Sequence, residues 1–158
     1  MPIARESIRS GDSDIQWWAQ IGPLISVLEA ALWAGDTETV NIASIQIKVR
    51  FADAVTLPSG EFQLYSLARL VGQAAMLEGD RETARASFER ALDWATSVGH
   101  RPEIALSRFA IAELLLGGDL EERTTAQDHL DFAIEEFRAM KMQPSLERAL
   151  RHKGLLHA

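Results

Sequence analysis

The chain has 158 residues, 47% of them apolar and 25% charged, enough to bury one sizeable core and too few to argue for two. It contains no cysteine, which excludes disulfides, thiolate zinc sites and cysteine nucleophiles. Sixteen basic against 23 acidic residues leave a net charge of -7, the wrong sign for a protein that neutralises phosphates. No direct nucleic-acid partner is therefore expected. Met1 to Gly11 is polar, carries two arginines and lacks the apolar stretch of a signal peptide, and no later run reaches membrane-spanning length. These features predict a flexible arm over residues 1–11, a single helical domain over 12–158, no membrane partner and a cytoplasmic location.

In chain order, a first helix is predicted from about Ser13 to Ala34, with Ile21, Leu24, Ile25, Leu28, Ala31 and Leu32 spaced as a buried stripe and Gly35 ending it. Asp36 is placed to cap a second helix reaching about Ala54. Its β-branched residues alternate as a strand's would, but the length, the cap and the position in the chain predict helix. Leu57 to Gly60 reads as a turn, with Ser59 capping a third helix to Glu78. Gly79 and Asp80 open a fourth helix that ends at Gly99 and His100, and Pro102 suits the first turn of a fifth that ends at Gly117 and Gly118. Asp119 with Glu122 resembles a capping box for a sixth helix to about Met140, and Pro144 opens a seventh that ends near His152.

Residues 84 to 102 repeat 42 positions later without a gap: Ala84, Phe88, Ala91, Leu92, Ala95 and Pro102 are answered by Ala126, Leu130, Ala133, Ile134, Phe137 and Pro144. One helical unit used twice predicts an all-α chain, a right-handed α-solenoid of three helical hairpins plus a C-terminal capping helix. Gly72, Gly79, Asp80, Ala84, Phe88, Ala91 and Leu92 together have the spacing of a tetratricopeptide repeat, which the segment from about Glu61 to Gly99 resembles. A small residue at Gly72 lets two helices approach closely while Phe88 fills the space between units. The flanking units depart from the pattern at Leu28, Ser44, Ile111 and the lengthened turn after Asp119. The closing Phe137, Arg138, Ala139 and Met140, followed by Pro144, Leu146, Glu147 and Arg148, is similar to the repeat regions of large LuxR-type bacterial regulators and related signalling ATPases.

The tetratricopeptide resemblance implies that the first helix of each pair lines a groove for a peptide or partner helix. Carried over by the Gly-Asp register, this wall holds Ile25, Glu29, Leu32 and Trp33, then Arg69, Gln73, Met76 and Leu77, then Arg108, Ala112 and Leu115. Arg69 and Arg108 are 39 residues apart, as are Gly79 and Gly118. Equivalent positions would let two guanidinium groups clamp a partner's carboxylates. The alternative is that both arginines pair with acidic neighbours such as Glu29, Glu103 or Glu113. Trp17 and Trp18 point about 100° apart on a helix, so one is expected to remain partly exposed and to serve docking or a homodimer, or else to close the end of the core. Trp33 and Trp94 fall at stripe positions and also read as core filler.

No catalytic or metal constellation is expected. His100, His129, His152 and His157 are not spaced to share a helical face with a carboxylate base, and His129 reads as solvated. Gly117 and Gly118 lack the lysine and preceding strand of a phosphate loop. The expectation is a protein-interaction module with no cofactor and no enzymatic activity. A sensor or regulatory domain of a bacterial regulator and a structural homo-oligomer are the alternatives.

Overall fold

The computed structural model describes residues 16–51, 56–59 and 63–156, with side chains over 22–47 and 66–154. The N-terminal arm, the side chains of Trp17 and Trp18, and His157 lie outside the described residues. Seven helices account for nearly all of what is described: α1 (Gln16–Ala34), α2 (Thr37–Phe51), α3 (Leu67–Glu78), α4 (Arg81–Ser97), α5 (Arg101–Leu115), α6 (Leu120–Ala139) and α7 (Gln143–Leu156). The β-branched segment after Asp36 is helical, as its cap and length require.

Local chemistry sets the breaks. Asp36 accepts from the Thr39 N–H and hydroxyl, and that hydroxyl, followed by the amide, holds the Asp36 carboxyl below its ordinary range. Asp80 accepts from Thr83 N, Asp119 from Glu122 N, and His100 Nδ1 from Glu103 N. At the other ends, Gly35 and Gly79 adopt φ of 67° and 82°, and the next residue's N–H returns to Ala31 and Ala75 respectively. This is a left-handed helix stop that a Cβ would disfavour.

One expectation is corrected. The third helix starts at Leu67 with Ser66 as its cap, because Thr56–Ser59 (β1) pairs antiparallel with Gln63–Ser66 (β2) in a short ribbon. Pro58 holds Leu57 extended, and Thr56, Leu57, Leu64 and Tyr65 favour strand pairing over an early helix start.

Each helix packs against the next, and the odd-numbered helices also touch in the order α1, α3, α5, α7. The core follows that order in three clusters. The first joins Leu28, Val40, Ile47 and Leu70 of α1 to α3. Ala75, Phe88, Leu114 and Ala126 of α3 to α6 form the second, and Phe109, Leu130, Phe137 and Ala149 of α5 to α7 the third. Phe88 and Phe137 are fully buried, worth roughly 1.5–3 kcal/mol each. At Gly72 an added Cβ would lie 2.5 Å from Phe88 Cε1 and 3.2 Å from the Ala84 carbonyl, so the small residue is what lets α3 and α4 close on each other.

Candidate interaction surface

The odd-numbered helices carry the predicted wall, and the structure distributes its residues unevenly. Glu29 and Gln73 are half-buried, Met76 is exposed, and Trp33 is 92% exposed. Trp33 is therefore not core filler. The buried stripe of α1 is Ile25, Leu28 and Ala31, and Trp33, five residues past Leu28, is rotated about 140° from it. Ile25, Ala112 and Leu115 are buried in the core and do not line an open wall. Trp94 is half-buried, with its ring centroid 6.2 Å from that of His100.

The two arginines are not an equivalent pair. Arg69 is only 9% exposed, and its Nε donates to Glu103 at 2.6 Å while a terminal nitrogen donates to Gln73 at 3.3 Å. Of the acidic neighbours considered for Arg69, Glu103 is the one it meets. Arg108 faces α6 instead: its guanidinium carbon lies 4.2 Å from the centre of the Phe132 ring, a cation–π contact, and its buried Nε has no hydrogen-bond partner. Thus Arg69 faces the next odd-numbered helix and Arg108 faces the helix that follows it in the chain. A 39-residue interval in the turns does not carry through to side-chain direction, because the turn after α5 is longer than the one after α3.

His129, expected in solvent, is also corrected. It is half-buried beside Arg108, and its Nδ1 is buried without a hydrogen-bond partner. Burial first, and then the Arg108 charge, hold its imidazole below the usual histidine value, while Asp128 pulls it upward.

A second charged joint escaped the sequence reading. Glu113 of α5 is contacted from α7 by Arg148 and by His152 Nε2, each at 2.8 Å. Phe109 packs beside the joint, 5.3 Å from the Arg148 guanidinium and 5.7 Å from the His152 ring. Burial raises the Glu113 carboxyl above its ordinary value, and Arg148 and His152 oppose that shift without overcoming it. A partial signal was present, because three of the cross-helix charged pairs recur at nearly one interval, although Arg81–Glu122, Arg85–Glu122 and Asp131–Lys153 do not. Arg69–Glu103 spans 34 residues, and Arg101–Glu136 and Glu113–Arg148 span 35 each. The Ser44–Glu78 hydrogen bond, from a hydroxyl to a carboxylate, spans 34 as well.

No described helix is long and apolar enough to cross a membrane, and no group of three or more His, Cys, Asp or Glu among the described residues is arranged to hold a metal ion. Comparison of the chain with family models, curated proteins and solved structures yields no match.

Proposed function

We propose that the chain is a tetratricopeptide-like α-solenoid that binds a peptide or helix of a partner protein along its odd-numbered helices. The observation that carries this reading is Trp33, a large apolar side chain that is 92% exposed at the end of α1 and shares that layer with the exposed Met76 of α3. An aromatic left in water next to other apolar groups is the usual composition of an interface hot spot. The repeat reading is supported by the 34–35 residue interval that several of the cross-helix bonds share and by core clusters that each span only neighbouring helices. The partner's affinity comes from apolar burial, and charged groups beside it set register. No cofactor or catalytic step enters this reading.

Affinity capture from an extract of the source cells, with mass spectrometry, tests it. Trp33→Ala is expected to weaken capture about tenfold or more while leaving the unfolding midpoint unchanged, since the side chain contributes little to the fold. Capture of the same proteins in equal amounts by wild type and variant would discard the reading.

A further inference from the structure

The odd-numbered helices end where the even-numbered ones begin, so the turns after α1, α3 and α5 share one edge of the molecule. Arg81 at the start of α4 donates both to the Leu114 carbonyl and to Glu122, which ties the turns after α3 and α5 together, while Glu78 at the end of α3 accepts from Ser44 in the middle of α2. This edge exposes four large apolar side chains, Trp33 at 92%, Leu120 at 82%, and Met76 and Leu77 at 38% each. Across residues 33–38, 76–85 and 116–123 it holds eight acidic side chains against three basic ones. Two of the three, Arg81 and Arg85, are already paired with Glu122.

Along this edge one position recurs. Glu38, Glu82 and Glu121 are the second residues of α2, α4 and α6, and all three are exposed with no ion-pair partner among the described residues. A first-turn carboxylate is stabilised by its own helix, which accounts for each glutamate singly. This does not account for the apolar groups exposed on the same edge, which no described residue covers. At the opposite edge the α6–α7 turn carries two basic side chains, Arg138 and Lys141.

We propose that this edge is the docking site for a basic, amphipathic helical segment of a partner protein. The inference rests on reading the chain as an interaction module, and it adds the partner's chemistry. Apolar side chains of that segment cover Trp33, Met76, Leu77 and Leu120, and its lysines or arginines meet Glu38, Glu82 and Glu121. Glu38, Glu82 and Glu121 stand on even-numbered helices that alternate with the odd-numbered ones along this edge, and a helix laid along it returns to the same face about every seven residues, a rise of about 10.5 Å. A segment with cations and leucines along the same face presents both kinds of contact to this edge.

The test is fluorescence anisotropy with a labelled synthetic helix of about 21 residues, six turns, bearing Lys at every seventh position and Leu on the same face. A matched peptide with Glu in place of Lys is the control. The Lys peptide is expected to bind the full chain about tenfold or more tightly than the Glu peptide, and to weaken as salt is raised. Glu38→Gln, Glu82→Gln and Glu121→Gln together remove the discrimination, and Trp33→Ala with Leu120→Ala removes binding. The two-peptide comparison needs no variant, so it stands even where a variant folds poorly. Equal binding of both peptides, or binding of neither, overturns the proposal. So does a self-associated chain that dissociates on Trp33→Ala and ignores the peptides. Where neither peptide binds but Trp33→Ala still abolishes capture of a cellular partner, the interaction-module reading stands and the basic partner falls.

Discussion

Between α3 and α5 the charged joint runs from Arg69 to Glu103; between α5 and α7 it runs the other way, from Glu113 to Arg148 and His152. The first is sealed, with side chains 10% and 4% exposed. In the second a 7% exposed carboxylate faces Arg148 and His152, which stay 51% and 28% exposed. The two joints do the same mechanical work, holding one odd-numbered helix against the next, with different electrostatics. In the sealed joint both charges have left water and depend on each other. The open joint buries only the anion, so its partners keep solvent as an alternative and α7 is held more by apolar contact than by charge.

The largest effect is therefore expected at the sealed joint. Arg69→Ala strands a buried carboxylate and should cost about 3–5 kcal/mol in denaturant unfolding. Replacing both partners, Arg69→Met with Glu103→Leu, removes the stranded charge and should recover most of that loss. If Arg69→Ala costs no more than the roughly 1 kcal/mol of an exposed pair, the contrast between the joints is gone.

Glu113→Gln should have a much smaller effect, neutral to slightly stabilising at neutral pH, since the amide can still accept a hydrogen bond and no buried carboxylate has to stay ionised. The pH dependence has a definite sign. The folded Glu113 carboxyl is held above its unfolded value, so the native state takes up this proton more readily than the unfolded chain. Its contribution is fully present below the unfolded value, about 4.3, and is lost as pH rises through the raised folded value. The stability of wild type minus that of Glu113→Gln should therefore fall as pH rises through that window. A difference that grows with pH would show that the ion pairs, not burial, dominate at Glu113.

Phe109 tests whether apolar contact is what holds α7. Its ring is buried between Phe137, at 5.9 Å in an edge-on arrangement, and the Arg148 and His152 side chains. Phe109→Leu keeps a hydrophobe but loses the aromatic contacts, and should cost about 1 kcal/mol by thermal unfolding. Protection of α7 amides from hydrogen exchange should drop more than that of α3. Uniform loss across the chain would place the contact in the common core and not at the α5–α7 joint.

How much of this was legible in the sequence depends on the range of the interaction. The breaks at Gly35, Gly79, Gly99 and Asp119 were readable because a cap or a left-handed stop is decided within five residues. Ser59 misled because a serine can cap any helix that starts after it, and only the pairing of Thr56–Ser59 with Gln63–Ser66 delays the start to Leu67. Trp33 misled because an apolar residue near a helix end reads as part of the stripe, whereas the buried stripe of α1 is Ile25, Leu28 and Ala31 and Trp33 lies about 140° from Leu28. The Glu113 joint was not found because it needs the register of α7 against α5, two elements on. The 42-residue offset, measured within the α4 and α6 repeats, does not give that register.

A further small effect separates the turns that lead into the two joints. The turn before α5 uses Gly99 at φ 68°, whereas the turn before α7 places Lys141 at φ 57°. Both turns return the following N–H to the last helical turn, His100 to Ala95 and Met142 to Phe137, so the backbone task is the same. A side chain in left-handed conformation costs roughly 1–2 kcal/mol relative to its preferred region, and glycine avoids the clash. Glycine also gives the unfolded chain more freedom, which removes part of that gain. Lys141→Gly should accordingly stabilise the protein by about 0.5–1 kcal/mol, read as a higher denaturant midpoint at constant slope. Gly99→Ala, the reverse change at the matching turn, should lower it. If Lys141→Gly is neutral while Gly99→Ala is costly, the α6–α7 turn is not strained in the native state, and the looser hold on α7 comes from the open charged joint alone.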